Sequence, residues 1–375
     1  MKRFIKNIIL FLLPIIILML GILPFYSIAL YCGEFIKIDD NIEKQRENNY
    51  SLIGMGYNEQ TEYYKLVNAN YYQADIIALG TSRVMQFKGE FFKTSFYNCG
   101  GAVDGNYNQY INFLKNLHYK PSCILLGIDA WVFNDAWNRS CKEYKEYIEI
   151  RETNRSKGTM LKNIIGDWSE KKWRLDNLDD YPENIGFNGK IKDEGFMYDG
   201  SYYYGSYYRY PEEQEDYLFE NTLSRIQNGV RRFEWGDHID QDTVTQLENL
   251  LLYCSQNHIE VIGIVTPFAP TIYETMQKSG NYGYLEEIEP ECRVLFDKYG
   301  FELYNYMDGL SLSVTDDCFI DGFHGSEIVY GYMLIDMKRN GSKARNYMNI
   351  NDINYLLKNA YNGKVFYEPD NRLVR

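Results

Sequence analysis

Five short strand-like runs, the third nearly unbroken in apolar residues, constrain this chain more than any other feature. They are "ADIIALG" (74–80), "SFYNCGG" (95–101), "SCILLGID" (122–129), "IEVIGIVTP" (259–267) and "FELYNYM" (301–307). Near-continuous apolar character, instead of strict alternation, marks parallel strands covered on both faces. The segments "NYNQYINFLKNLH" (106–118), "TVTQLENLLLYCSQNH" (243–258) and "LEEIEPECRVLFDKYG" (285–300) space their apolar residues helically. Gly300 stands where a C-cap belongs. "GSEIVYGYMLIDMKRNG" (325–341) supplies a last helix. Strands alternating with helices predict an α/β fold: a doubly wound parallel sheet of about five strands with helices on both faces.

The N-terminus predicts a membrane. "MKRFIKN" carries Lys2, Arg3 and Lys6, and no charge follows from Ile8 to Tyr31. A helix of that length spans ~36 Å, enough for a bilayer core with some tilt. Pro14 and Pro24 would bend it, which membrane helices tolerate. Basic residues before the span and Glu34, Asp39 and Asp40 after it place the N-terminus inside and the rest outside. A cleaved signal peptide is the rival, but its apolar region should be shorter and its cut site lined by small residues. Bulky Tyr31 before Cys32 fits a lipoprotein cleavage site only loosely. The expectation is an uncleaved anchor over 1–31 and an extracytoplasmic body.

Residues 32–70 read as a polar stalk with a lead-in helix, and 346–375 as a C-terminal tail. A non-periodic insertion occupies about 138–240 and contains "YDGSYYYGSYYRYPEEQEDY" (198–217). It is either a cap over the carboxyl edge of the sheet, where such folds bind ligands, or a surface elaboration. Tyr is frequent, with 36 residues, and suits wet sugar-binding surfaces; compositional drift explains it equally well. A net charge of −13 without a basic stripe argues against a nucleic-acid partner. Seven scattered cysteines (32, 99, 123, 141, 254, 292, 318) suggest buried thiols and no disulfide framework. Four scattered histidines argue against zinc.

In such a sheet, reactive residues belong just past the strand ends. Ser82 follows the first strand, Asn98-Cys99-Gly100-Gly101 closes the second, and Asp129 closes the third. The loop "DDCFIDGFHGSE" before the last helix holds Asp321 and His324, three residues apart. A serine hydroxyl becomes a nucleophile when an imidazole takes its proton and a carboxylate fixes that imidazole. Each residue also has a plain reading. Ser82 could cap a helix, Asp321 could cap the next one, and His324 could lie on the surface. Gly100 and Gly101 could only turn the chain. Arg83 could bind an anionic substrate group or pair with an acid beneath the site. His238, in "WGDHIDQDT", is an alternative base or part of a helix start capped by Asp240 or Asp242. A phosphate loop is not indicated, since "GTSR" lacks the glycine run and lysine.

Together these pieces resemble the SGNH (GDSL-like) hydrolase superfamily over about residues 70–345, the insertion excepted. "GTSR" resembles its first block, with Ser82 as nucleophile. "YNCGG" resembles the second, with the Gly100 amide in the oxyanion hole. "DGFH" resembles the last, with Asp321 and His324 completing a triad. The third block departs: Gly-x-Asn is usual, and "GIDAWVF" puts Asp129 there. An ionised carboxylate cannot donate to an oxyanion. Asp129 is then protonated, or it orients another group, or the hole relies on the Ser82 and Gly100 amides; Asn134 is a nearby substitute.

With a single anchor in front, the chain resembles the membrane-tethered branch that includes alginate O-acetylation and teichoic-acid D-alanyl transfer proteins. That resemblance implies a flavodoxin-like sheet and a serine esterase or O-acyltransferase acting on cell-surface glycopolymers. A multispanning acyltransferase is an implied partner, and no cofactor is called for. The rival is a non-catalytic glycan-binding or scaffold protein of the same fold.

Overall fold

The computed structural model describes residues 2–138, 147–153, 155–178 and 180–367. The chain divides into two compact units, one made of 1–60 and 152–195, the other of 61–151 and 196–375. The insertion read from the sequence is thus shared between them. So is the expected stalk: 32–60 belongs to the first unit, while the helix Thr61–Tyr72 belongs to the second.

The first unit begins with the helix Lys2–Tyr31, of which Leu10–Tyr31 is long and apolar enough to cross a membrane. Its last turns also pack within the first unit. Ala29 and Cys32 are buried in a cluster with Met160, Ile164, Trp173 and Phe187, and Phe25 and Ile28 pack against it. The Phe25 ring meets Trp168 edge-on at 5.2 Å and Trp173 at 6.3 Å. Just past this helix the fully buried Glu34 gathers four backbone N–H groups. Gly56 and Phe187 donate to Oε1 at 2.7 and 3.0 Å, and Tyr57 and Asn58 to Oε2 at 3.0 and 2.8 Å. Burial pushes its carboxyl above the ordinary value, although those four amides pull the other way.

The second unit is built on five parallel strands: β1 Ile76–Leu79, β2 Phe96–Asn98, β3 Cys123–Ile128, β4 Glu260–Val265 and β5 Glu302–Asn305. Their spatial order is β2-β1-β3-β4-β5. Ile76 of β1 lies between Phe96 of β2 and Cys123 of β3, which sets the register of the switch region. Every residue of β1 and β3 is buried, as their unbroken apolar runs require. The helices Tyr107–Asn116, Gln241–Gln256 and Tyr284–Tyr299 pack against one another. Glu327–Arg339 packs against Ile350–Lys358, a helix inside what the sequence suggested was a tail. Among the described residues six cysteines form no disulfide, five of them buried; Cys141 lies outside those residues.

Candidate active site

The order of connections reverses between β1 and β3, and the chemistry-bearing side chains gather past the carboxyl ends of these two strands. After β1 the chain makes a tight 3-10 turn, Ser82–Val84. Three glycines allow that turn to sit directly on the sheet. A Cβ on Gly127 would lie 2.4 Å from Val84 Cγ1, one on Gly80 2.9 Å from it, and one on Gly100 2.8 Å from Val84 Cγ2. The notch seats Val84, and the turn then presents Ser82 upward, partly exposed. Asn98 holds the turn from the side: its Nδ2 donates to the carbonyls of Val84 at 2.8 Å and Phe87 at 2.9 Å.

Ser82 is not the cap of this turn. That role belongs to Thr81, whose Oγ1 accepts from the Arg83 amide at 3.3 Å. Ser82 Oγ is instead 2.8 Å from His324 Nε2, and His324 Nδ1 is 2.7 Å from Asp321 Oδ2. Asp321 Oδ1 also accepts from the amides of Phe323 at 3.0 Å and His324 at 2.8 Å. One carboxylate thus fixes both the loop and the ring. Only 13% of the His324 side chain and 16% of Asp321 reach solvent, so the relay is largely sheltered from water. Burial pushes the Asp321 carboxyl up. The His324 charge and the three hydrogen bonds outweigh it and hold the group below its ordinary value.

Sequence reasoning missed a residue that braces this loop. Asp216, in the insertion, accepts from the Gly322 amide at 2.9 Å. It also accepts from the Thr222 amide and Oγ1, both at 2.7 Å. Its only signal was an acidic residue before a helix, which is too common to single out. The Tyr-rich segment also reaches the site. Tyr202 N donates to Met85 O at 3.1 Å, and its carbonyl accepts from Gln86 Nε2 at 2.7 Å. The ring of Tyr204 then lies 6.4 Å from that of His324.

The expected oxyanion donors fare differently. The Gly100 amide is already bonded to Asn98 Oδ1 at 2.7 Å, and the Gly101 amide to Gly80 O at 2.9 Å. Asp129 faces away from such a role, because both its oxygens accept. Oδ2 takes Thr81 Oγ1 at 2.6 Å, and Oδ1 takes Thr266 Oγ1 at 2.8 Å. Arg83 Nη1 stands 3.5 Å from the same Oδ1. Arg83 is itself buried under the site, between the rings of Trp131 and Phe268, so it pairs with an acid and does not reach out to substrate. Asn134 is no substitute: its Nδ2 donates to Glu234 O at 2.7 Å.

What remains is the Ser82 amide, which has no hydrogen-bond partner among the described residues. The Gly105 amide is equally unengaged, and a Cβ there would lie 3.5 Å from Thr81 Cγ2. His238 is remote from this chemistry. It is exposed, with Nδ1 2.7 Å from Glu287 Oε1, and that hydrogen bond raises its pKa. Asp240 caps the next helix by accepting from Thr243 N at 2.8 Å.

Fold and site together define a parallel α/β protein carrying a hydrogen-bonded serine, histidine and aspartate at its switch point. No family model matches the chain, and no curated protein or solved structure matches it either.

Proposed function

We propose that this chain is an extracytoplasmic, membrane-anchored serine acyl hydrolase or O-acyltransferase of the SGNH type, acting on esters of a cell-surface glycopolymer. The unbroken hydrogen-bond chain Ser82–His324–Asp321 carries this reading. The strand order agrees with it, since 2-1-3-4-5 is the flavodoxin-like arrangement that binds ligands between its first and third strands. The apolar helix Leu10–Tyr31, with basic residues before it, supports the anchor and its orientation.

Ser82 Oγ attacks the ester carbonyl and its proton passes to His324 Nε2, while Asp321 stabilises the imidazolium through Nδ1–H. The Ser82 amide, with Gly105 as the second donor, receives the oxyanion. Collapse expels the alcohol, which takes the proton from His324, and leaves an acyl-serine. Water, or a sugar hydroxyl deprotonated by His324, then releases the acyl group as acid or as a new ester.

The engagement of the Gly100 amide and of Asp129 favours a second reading, a non-catalytic glycan-binding or scaffold protein. A fluorophosphonate probe separates the two. Catalysis predicts a labelled wild type, no label in Ser82→Ala and weak label in His324→Ala. A folded wild type that stays unlabelled leaves the scaffold reading standing.

A further inference from the structure

Two arginines flank this site. Arg225, on the helix Glu220–Asn228, is half-buried with its guanidinium 5.9 Å from the centre of the Phe323 ring. Its Nε is buried and has no partner. Arg232, also half-buried, lies 5.4 Å from the Trp131 ring and 5.7 Å from the Trp137 ring. Neither makes an ion pair or a side-chain hydrogen bond among the described residues. Two of the three rings they cover, Trp131 and Phe323, meet edge-on at 5.9 Å, and Phe323 lies 4.4 Å from the His324 ring.

Two further observations point to a ligand. Arg231 and Arg232 both take positive φ, at 54° and 77°. Two successive non-glycine residues in the left-handed region are costly and persist where a side chain must be aimed. Finally, the chain holds 52 acidic against 39 basic residues, yet among the described residues none forms an ion pair with either cation. The carboxylates of the site itself are committed elsewhere: Asp321 to His324, Asp129 to Arg83 and two threonines, Asp216 to Thr222 and Gly322. Stacking on an aromatic face uses the plane of a guanidinium and leaves its N–H edge able to grip an oxyanion in bidentate fashion.

We propose that Arg225 and Arg232 form a receiving site for a carboxylate or phosphate carried by the substrate close to its ester. The role in turnover rests on the acyl-transfer reading; binding of the anion does not. It narrows the polymer to one whose repeating unit bears a negative charge.

Calorimetric titration of the full chain in detergent tests this with methyl glucuronoside, glycerol 1-phosphate and neutral methyl glucoside. At least one anionic probe should bind tenfold or more tighter than the glucoside, and weaken as salt is raised. The tighter of the two tells a uronate from a phosphodiester source. Arg225→Gln and Arg232→Gln should each lose tenfold or more, Arg232→Lys less, and Ser82→Ala nothing. Anions binding no tighter than the glucoside overturn the proposal, and that comparison needs no variant to fold. Normally melting Gln variants that bind unchanged overturn it too. Anion binding without fluorophosphonate labelling would remove the acyl-transfer reading and leave this site intact.

Discussion

Asp321 does two things with one carboxylate: Oδ1 folds its own loop and Oδ2 fixes the imidazole. Both depend on negative charge, and the depressed pKa shows that the fold favours that charge. A carboxyl lowered on folding stabilises fully above its unfolded value, about 3.9, and loses that contribution as pH falls through the folded value below it. Asp321→Asn should therefore cost about 1.5–3 kcal/mol at neutral pH, the worth of a hydrogen bond to a charged group. Urea unfolding at pH 7, 4 and 2.5 should show this gap steady at first and then closing. A gap that persists at the lowest pH would show that Asp321 contributes without its charge. The Ser82 amide is the complementary case, a donor left open while the Arg83, Val84 and Met85 amides that follow it have partners.

At the scale of elements, the turn Ser82–Val84 depends on the glycine notch that seats Val84. Gly127→Ala puts a methyl into that notch and should destabilise by about 1–3 kcal/mol, as overpacking does. It should also slow fluorophosphonate labelling by shifting Ser82. Val84→Ala makes room, so the double variant should lose less than the two single changes added. Strict additivity in thermal melts would mean the notch does not position the turn. β1, β3 and β4 were legible in the sequence because a buried parallel strand writes itself as an apolar run, and β2 and β5 because strands and helices alternate. Ser82, His324 and Asp321 were legible because each follows a predicted strand or precedes a predicted helix. The oxyanion donors were not. Gly100 and Asp129 hold the expected positions, yet Asn98 and Arg83 claim them through contacts that no local pattern records. Asp216 and the two flanking arginines escaped for the same reason, lying about 90–110 residues from the loop they serve.

At the scale of the whole molecule, the apolar helix is both a candidate span and a piece of folded protein. A chain begun at Pro24 retains Phe25, Ile28 and Ala29 and should melt like the full chain in detergent. One begun at Gly33 loses them, should be about 3 kcal/mol less stable, and should expose 152–178 to trypsin. Equal protease resistance of the two would show that the cluster is complete without the helix. Sequence could not reveal this unit, since its halves lie nearly a hundred residues apart and neither is strongly patterned alone. Glu34 makes the junction stiff, with four amides from two separate segments converging on it just past the helix. A tether of loose chain would set only how far the first unit wanders from the membrane. This one sets its heading: with the helix in a bilayer, any roll or tilt of that helix turns the first unit through the same angle.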